Sequence, residues 1–241
     1  MKTRIETLSH WATLLASLFV IMLVGLQLKE RWLAQPAHGA APSNATERVT
    51  DLRVEIPREA VKGSEQAKVA FIEFSDFQCP FCGMHERETS PIIQKEFVDS
   101  GKVRYAFRNF PLTRIHPFAQ NAGVAALCAA EQNKFWPMHD RLFNDQKMLD
   151  VPDLLRHAQD IHLNQYTFKE CLDRGLSPAL SLDIDEANRV GVTSTPTFLI
   201  GTVQPDGKIL VLTKIHGAQP ISVFRAALEE ALKNSTRPGR T

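Results

Sequence analysis

Between Lys68 and Lys233 the apolar positions change period several times, and each change marks an element. KVAFIEF, residues 68 to 74, is an apolar run of strand length that delivers the chain to Ser75, Asp76, Phe77 and Gln78. From Cys79 and Pro80 to Phe97 apolar residues fall at helical spacing, ending near Ser100 and Gly101, and KVRYAF, residues 102 to 107, predicts a second strand. A mostly helical stretch follows from about Pro117 to Val190, broken at Pro137, Pro152 and Gly175 to Pro178, which leaves room for four or five helices. TPTFLI (195 to 200) and KILVLT (208 to 213) then predict two strands joined through Pro205-Asp206-Gly207, and Pro220 to Lys233 a closing amphipathic helix. The order is βαβ, helices, ββα.

Upstream the pattern differs. WATLLASLFVIMLVGLQL, residues 11 to 28, carries no ionised side chain and is bracketed by His10 and by Lys29, Glu30 and Arg31. It is long enough to span a bilayer, and the small-residue cleavage candidates near Gly39 to Ala41 lie well beyond it. An uncleaved anchor is therefore favoured over a cleaved signal peptide or a buried helix. Lys2 and Arg4 on one side match Lys29 and Arg31 on the other, so charge does not set the orientation. Residues 32 to 62 show no sustained apolar period and predict a stalk, with Val54 and Ile56 as a possible short edge strand. The expected division is a cytoplasmic segment at 1–10, an anchor at 11–28, a linker at 29–62, the folded domain at 63–233 with a helical insertion at about 113–190, and a flexible tail at 234–241.

Composition narrows the function. At 241 residues with 44% hydrophobic positions the chain supports one well-buried domain plus appendages. Lys and Arg number 28 against 27 Asp and Glu, with no basic run interleaved with aromatics, which excludes nucleic acid as a partner. Of four cysteines, Cys79 and Cys82 form a tight Cys-Pro-Phe-Cys cluster, while Cys128 and Cys171 stand alone.

The cluster lies where a strand gives way to a helix. Cys79 falls at the helix N-terminus, Pro80 takes the first helical position, where its missing N–H is harmless, and Cys82 lies in the first turn. The unpaired N–H groups and helix dipole there favour a thiolate on Cys79, making it an attacker and a leaving group, with Cys82 resolving the mixed disulfide. Phe81 adds no charge or proton. Half a zinc site and inert core cysteines are the rival readings, but no second CxxC or finger-spaced histidine pair is present. No metal or organic cofactor is expected. His85, His116, His139 and His216 are scattered and are expected to be surface or capping residues.

EFSDFQCPFC resembles the DsbA-like branch of the thioredoxin superfamily in its EFxDFxCPxC form, and GVTSTPTFLIG resembles that family's second signature. FRNFPL before His116-Pro117 and the helix start FWPMHDRLF extend the likeness, from about Lys68 to Lys233. The resemblance implies an α/β thioredoxin-like fold with a helical insertion between the βαβ and ββα halves, here preceded by the membrane-spanning helix. It also implies a cis peptide between Thr195 and Pro196, packed opposite Cys79, where Thr195 backbone groups pair with an extended client. Thr195, Pro196, Phe81 and Pro80 are thus the expected client-binding residues. Glu73 stands where similar proteins carry a buried acid and is the candidate acceptor of the Cys82 proton, with a solvated charge as the alternative; Asp76 is expected to cap or steady the turn, with a share in the proton role as the alternative. Similar proteins often join such a pair as Cys128 and Cys171, and an oxidising compartment suits that structural disulfide, two buried free thiols being the alternative.

The expected activity is protein dithiol/disulfide exchange on cysteine-containing clients, with a membrane redox partner that reoxidises or reduces the pair. The catalytic domain is expected to be periplasmic or otherwise extracytoplasmic, on a single-pass cell-membrane anchor. An oxidase is favoured over an isomerase or reductase. A non-catalytic chaperone or binding module is the reading from a different class.

Overall fold

The computed structural model describes residues 45–57 and 59–236. The segment at 11–28 lies outside them, as do the stretch before Ala45 and the last five residues of the tail. Among the described residues no helix is long and apolar enough to cross a membrane.

The centre is β4 (Val69–Ser75), all seven of whose residues are buried. It pairs in parallel with β5 (Val103–Asn109) and antiparallel with β6 (Thr197–Val203), which pairs antiparallel with β7 (Ile209–His216). A strand covered on both faces reads as a continuous apolar run, which is why KVAFIEF shows no alternation. Between β6 and β7 the register shifts at Ile200 and Gly201, where any Cβ would strike the Leu210 carbonyl, so only glycine fits the bulge.

The boundary expected at residue 63 is too late. β1 (Thr46–Arg48) and β2 (Arg53–Val54) pair antiparallel with β7, and β3 (Val61–Lys62) pairs antiparallel with β5, so residues 46–48, 53–54 and 61–62 belong to the sheet rather than to a linker. These strands are two or three residues long, too short for periodicity to show, and they are stabilised by backbone pairing. The start of the tail expected at residue 234 is two residues too early, because the last helix runs to Ser235.

The helix after Cys79 is split. α1 (Pro80–Glu88) ends at Thr89, whose carbonyl accepts from Ile92 and Ile93 N–H, and α2 (Ser90–Ile93) continues into a π-helical turn at Gln94–Val98. Pro91 in the first turn of α2 lacks the N–H a continuous helix needs. The insertion is five helices: α3 (Ala119–Ala130), α4 (Phe135–Asn144), α5 (Val151–Asp160), α6 (Gln165–Asp173) and α7 (Pro178–Arg189). α8 (Ile221–Ser235) closes the fold.

Pleating sends Phe71 to one sheet face, where Phe198 and Tyr105 stack on it and Phe224 of α8 meets it edge-on, and Ile72 and Phe74 to the other, against Ala187 and Val190. Glu73 shares the face of Phe71. A third core fills the insertion, and there Cys128 of α3 and Cys171 of α6 form a disulfide with Cα atoms 5.7 Å apart. The expected pairing is thus the one observed.

Candidate active site

β4 ends at Ser75, and Asp76 turns the chain. Its buried carboxylate accepts from the N–H of Gln78 (2.7 Å) and Leu112 (2.8 Å) and faces His116 Nδ1 at 2.7 Å. This is the steadying role expected of Asp76, and it also straps the segment carrying exposed Ile115 to the active-site turn. Cys79 follows with extended backbone as the N-cap of α1, and Pro80 opens the helix. The Cys79 carbonyl accepts the first helical bond, from Gly83 N–H at 3.1 Å.

Cys79 and Cys82 are both free thiols here and both buried, Cys79 at 4% exposure and Cys82 at zero. Cys79 Sγ lies 3.5 Å from the Thr195 carbonyl, and the Thr195–Pro196 peptide is cis. Phe81 is 61% exposed beside them, leaving its ring open to a partner. A hydrogen bond from the Cys82 thiol pulls the Cys79 thiol down from its usual value to about 6; burial opposes the shift, and Thr195 and the N–H groups of Cys82 and Phe81 add to it. Burial, then the neighbouring Cys79, push Cys82 well above the ordinary thiol range. One thiol is built to ionise and the other to hold its proton.

Beneath Cys82 lies a closed polar cluster. Glu73 is fully buried, its Oε2 accepting from Tyr105 hydroxyl at 2.9 Å and lying 3.5 Å from His85 Nε2. Burial raises Glu73 from 4.5 to about 7, and burial together with the charge of Glu73 raises Glu86 to about 7. Burial lowers His85 to about 3, so the imidazole is neutral at physiological pH and its contact with Glu73 is not an ion pair. Glu73, His85 and Glu86 bring ligand-type atoms within 4.8 Å of one another.

The family model described as thioredoxin matches residues 55–211. The chain belongs to that family. A curated relative, Na(+)/H(+) antiporter NhaA 3 of Salinispora tropica, is 37% identical over 206 residues, which are 84% of this chain and 29% of that protein. The chain thus spans under a third of that relative's length. Disulfide bond formation protein D of Bacillus subtilis is 28% identical over 173 residues, 66% of this chain and 76% of that protein. Among solved structures, alpha-DsbA1 of Wolbachia pipientis superposes with a TM-score of 0.63 at 23% identity, covering 76% of this chain and 94% of that one, which establishes a shared fold. The resemblance to the DsbA-like branch of the thioredoxin superfamily holds.

The fold brings Cys79, Cys82, Pro80, Phe81, Thr195 and Pro196 together and sets Glu73 beneath them, while Cys128 and Cys171 lie in the insertion core. The expectation for the histidines fails at two positions. His85 and His139 are buried, His85 against Phe198 and Phe224 and His139 among Phe77, Phe107 and Phe143, because both fall on inward faces of helices that pack on aromatic clusters. Sequence reasoning also missed Glu86 and Tyr105. The available signal for Glu86 was the three- and four-residue spacing from Cys82 to His85 and Glu86, which places them on one helical face; Tyr105 had none, since its register beside Phe71 is set by strand pairing. A cavity of about 700 Å³ is lined by Asp51, Arg53, Arg108 and Asp183 among others and includes no residue of the cysteine site.

Proposed function

We propose that this chain is a membrane-tethered, extracytoplasmic protein thiol:disulfide oxidoreductase that oxidises cysteine-containing client proteins through Cys79 and Cys82. The observation that carries this reading is the opposed ionisation of the two thiols, Cys79 drawn down to about 6 at a helix N-terminus against Thr195, and Cys82 pushed up in the core. The apolar run at 11–28 supports the tether, and the Cys128–Cys171 disulfide supports an oxidising compartment. A relative named as a Na(+)/H(+) antiporter, within which the matching stretch is a minor part, is compatible with work beside a membrane.

In the oxidised protein a client thiolate attacks Cys79 sulfur. The Cys79–Cys82 bond breaks, its electron pair stays on Cys82, and a Cys79–client bond forms. Cys82 is too buried to remain charged and takes a proton from Glu73, whose raised affinity holds one available near neutral pH. A second client thiolate then attacks the client sulfur of the mixed disulfide, forming the client disulfide and releasing Cys79 as a stable thiolate. The client loses two electrons, the pair gains them, and a membrane partner that accepts two electrons restores the disulfide. Thr195 backbone groups beside Cys79 align an extended client, and exposed Phe81 offers it an apolar contact.

Refolding of reduced ribonuclease with the oxidised protein tests this. Wild type is expected to restore ribonuclease activity and Cys79→Ser to restore none. Refolding unaffected by Cys79→Ser sinks the proposal, and activity only on scrambled ribonuclease makes the protein an isomerase.

A further inference from the structure

We infer that Gln146 is a positioning residue for Cys79, through which the helical insertion sets the ionisation of the attacking thiol. The inference rests on the exchange function proposed above. Gln146 lies in the turn between α4 and α5, and its Nε2 donates to two carbonyls of the active-site turn, Phe77 O and Cys79 O, each at 2.9 Å. The two bonds bracket Gln78 and fix the Phe77–Gln78 and Cys79–Pro80 peptides. The amide therefore fixes the plane of the carbonyl that also accepts the first bond of α1, from Gly83. That plane sets how the N–H groups of Phe81 and Cys82 are aimed at Cys79 sulfur.

A second observation points the same way. Gly83 is buried inside α1, where glycine is a poor helix former and no left-handed backbone calls for it. A Cβ there would run into the Gln146 side-chain amide. The glycine is explained by the amide lying against the helix, so residues 83 and 146 are fitted to each other. The turn carrying Gln146 is itself held: Met148 N–H donates to Asp145 O at 2.7 Å, His157 Nε2 contacts Met148 O at 2.9 Å, and Leu149 is buried. Gln146 is thus a fixed arm of the insertion, applied to the backbone of Cys79.

The test measures thiolate absorbance against pH, and iodoacetamide alkylation, in Cys82→Ser with and without Gln146→Ala, Gly83→Ala, or both. Losing a hydrogen bond of ordinary worth should slow alkylation at pH 6 by about three- to tenfold and move the Cys79 ionisation towards that of an ordinary thiol. Gly83→Ala should act in the same direction by expelling the amide. The double substitution should recover thermal stability relative to Gly83→Ala alone, while the ionisation stays displaced. Unchanged ionisation in Gln146→Ala with intact circular dichroism overturns the inference and leaves Gln146 a brace between helices. If Gln146→Ala does not fold, unchanged ionisation in the double variant has the same force. A parent Cys82→Ser whose Cys79 ionises like a free thiol defeats instead the exchange reading itself.

Discussion

Thr195 meets Cys79 with two groups of opposite preference: its carbonyl lies 3.5 Å from Sγ and accepts from the thiol, while its buried hydroxyl has no partner among the described residues. The carbonyl favours the protonated sulfur, and the hydroxyl favours the thiolate. Removing the hydroxyl alone separates them. Thr195→Val, which keeps shape and carbonyl, should shift Cys79 ionisation upwards and slow its alkylation at pH 6 by roughly threefold, within the usual worth of one hydrogen bond. Unchanged alkylation would show that the hydroxyl takes no part.

The order of the two cysteines can be read from single substitutions. In Cys82→Ser the bond from the Cys82 thiol is replaced by one from a hydroxyl, so Cys79 should still ionise well below the free value of about 8.5, alkylate within minutes and trap clients as mixed disulfides. In Cys79→Ser the remaining thiol is buried and held protonated, and alkylation should be slower by about a hundredfold or more. Faster alkylation of Cys82 than of Cys79 would reverse the assignment.

The second cysteine pair should behave differently. The Cys128–Cys171 bridge is buried in the insertion core and closes a separation of 43 residues, so mild reductant should open the active-site pair first and leave this one closed. In the chain-entropy picture, replacing both cysteines by alanine should cost about 4 kcal/mol, read as a lower denaturant midpoint. Peptide mapping that finds Cys79 joined to Cys171 would contradict the pairing.

What the sequence made legible followed from how each signal is written. The centre of the sheet announced itself because a strand covered on both faces is mostly apolar, as KVAFIEF is apart from Lys68 and Glu73. CPFC was legible because proline at the first helical position and a cysteine before it have a local reason. β1 and β3 were not, since two or three residues paired through backbone atoms leave no side-chain period. Glu73 could be placed on a strand but not on a buried face, because what covers it is α1, Tyr105 and His85, brought there by tertiary packing. His85 was misjudged for the same reason: only the packing of α1 on the Phe71, Phe198 and Phe224 cluster shows that its ring is apolar filling.

Glu73 offers a test in which stability and exchange must move together. Its folded value is raised by burial from 4.5 to about 7, so its contribution to stability is fully present below about pH 4.5 and is lost as pH rises through about 7. The groups around it are Glu86 and neutral His85 on α1, Tyr105 on β5 and the two cysteines above, and of these Glu86 and Cys79, the latter drawn down to about 6, share its titration window. Glu73→Gln removes one of the two acids. Relative to wild type, the variant should therefore gain stability across that window, by a few kcal/mol at pH 8. It should at the same time lose exchange rate by at least about tenfold at neutral pH, because glutamine cannot hand a proton to Cys82. Denaturant melts of the reduced proteins between pH 4 and 8, run beside stopped-flow formation of the mixed disulfide, measure both. A variant that is more stable at high pH and equally fast would keep Glu73 buried yet remove it from proton transfer; one that is neither would mean that the carboxyl is already charged at neutral pH.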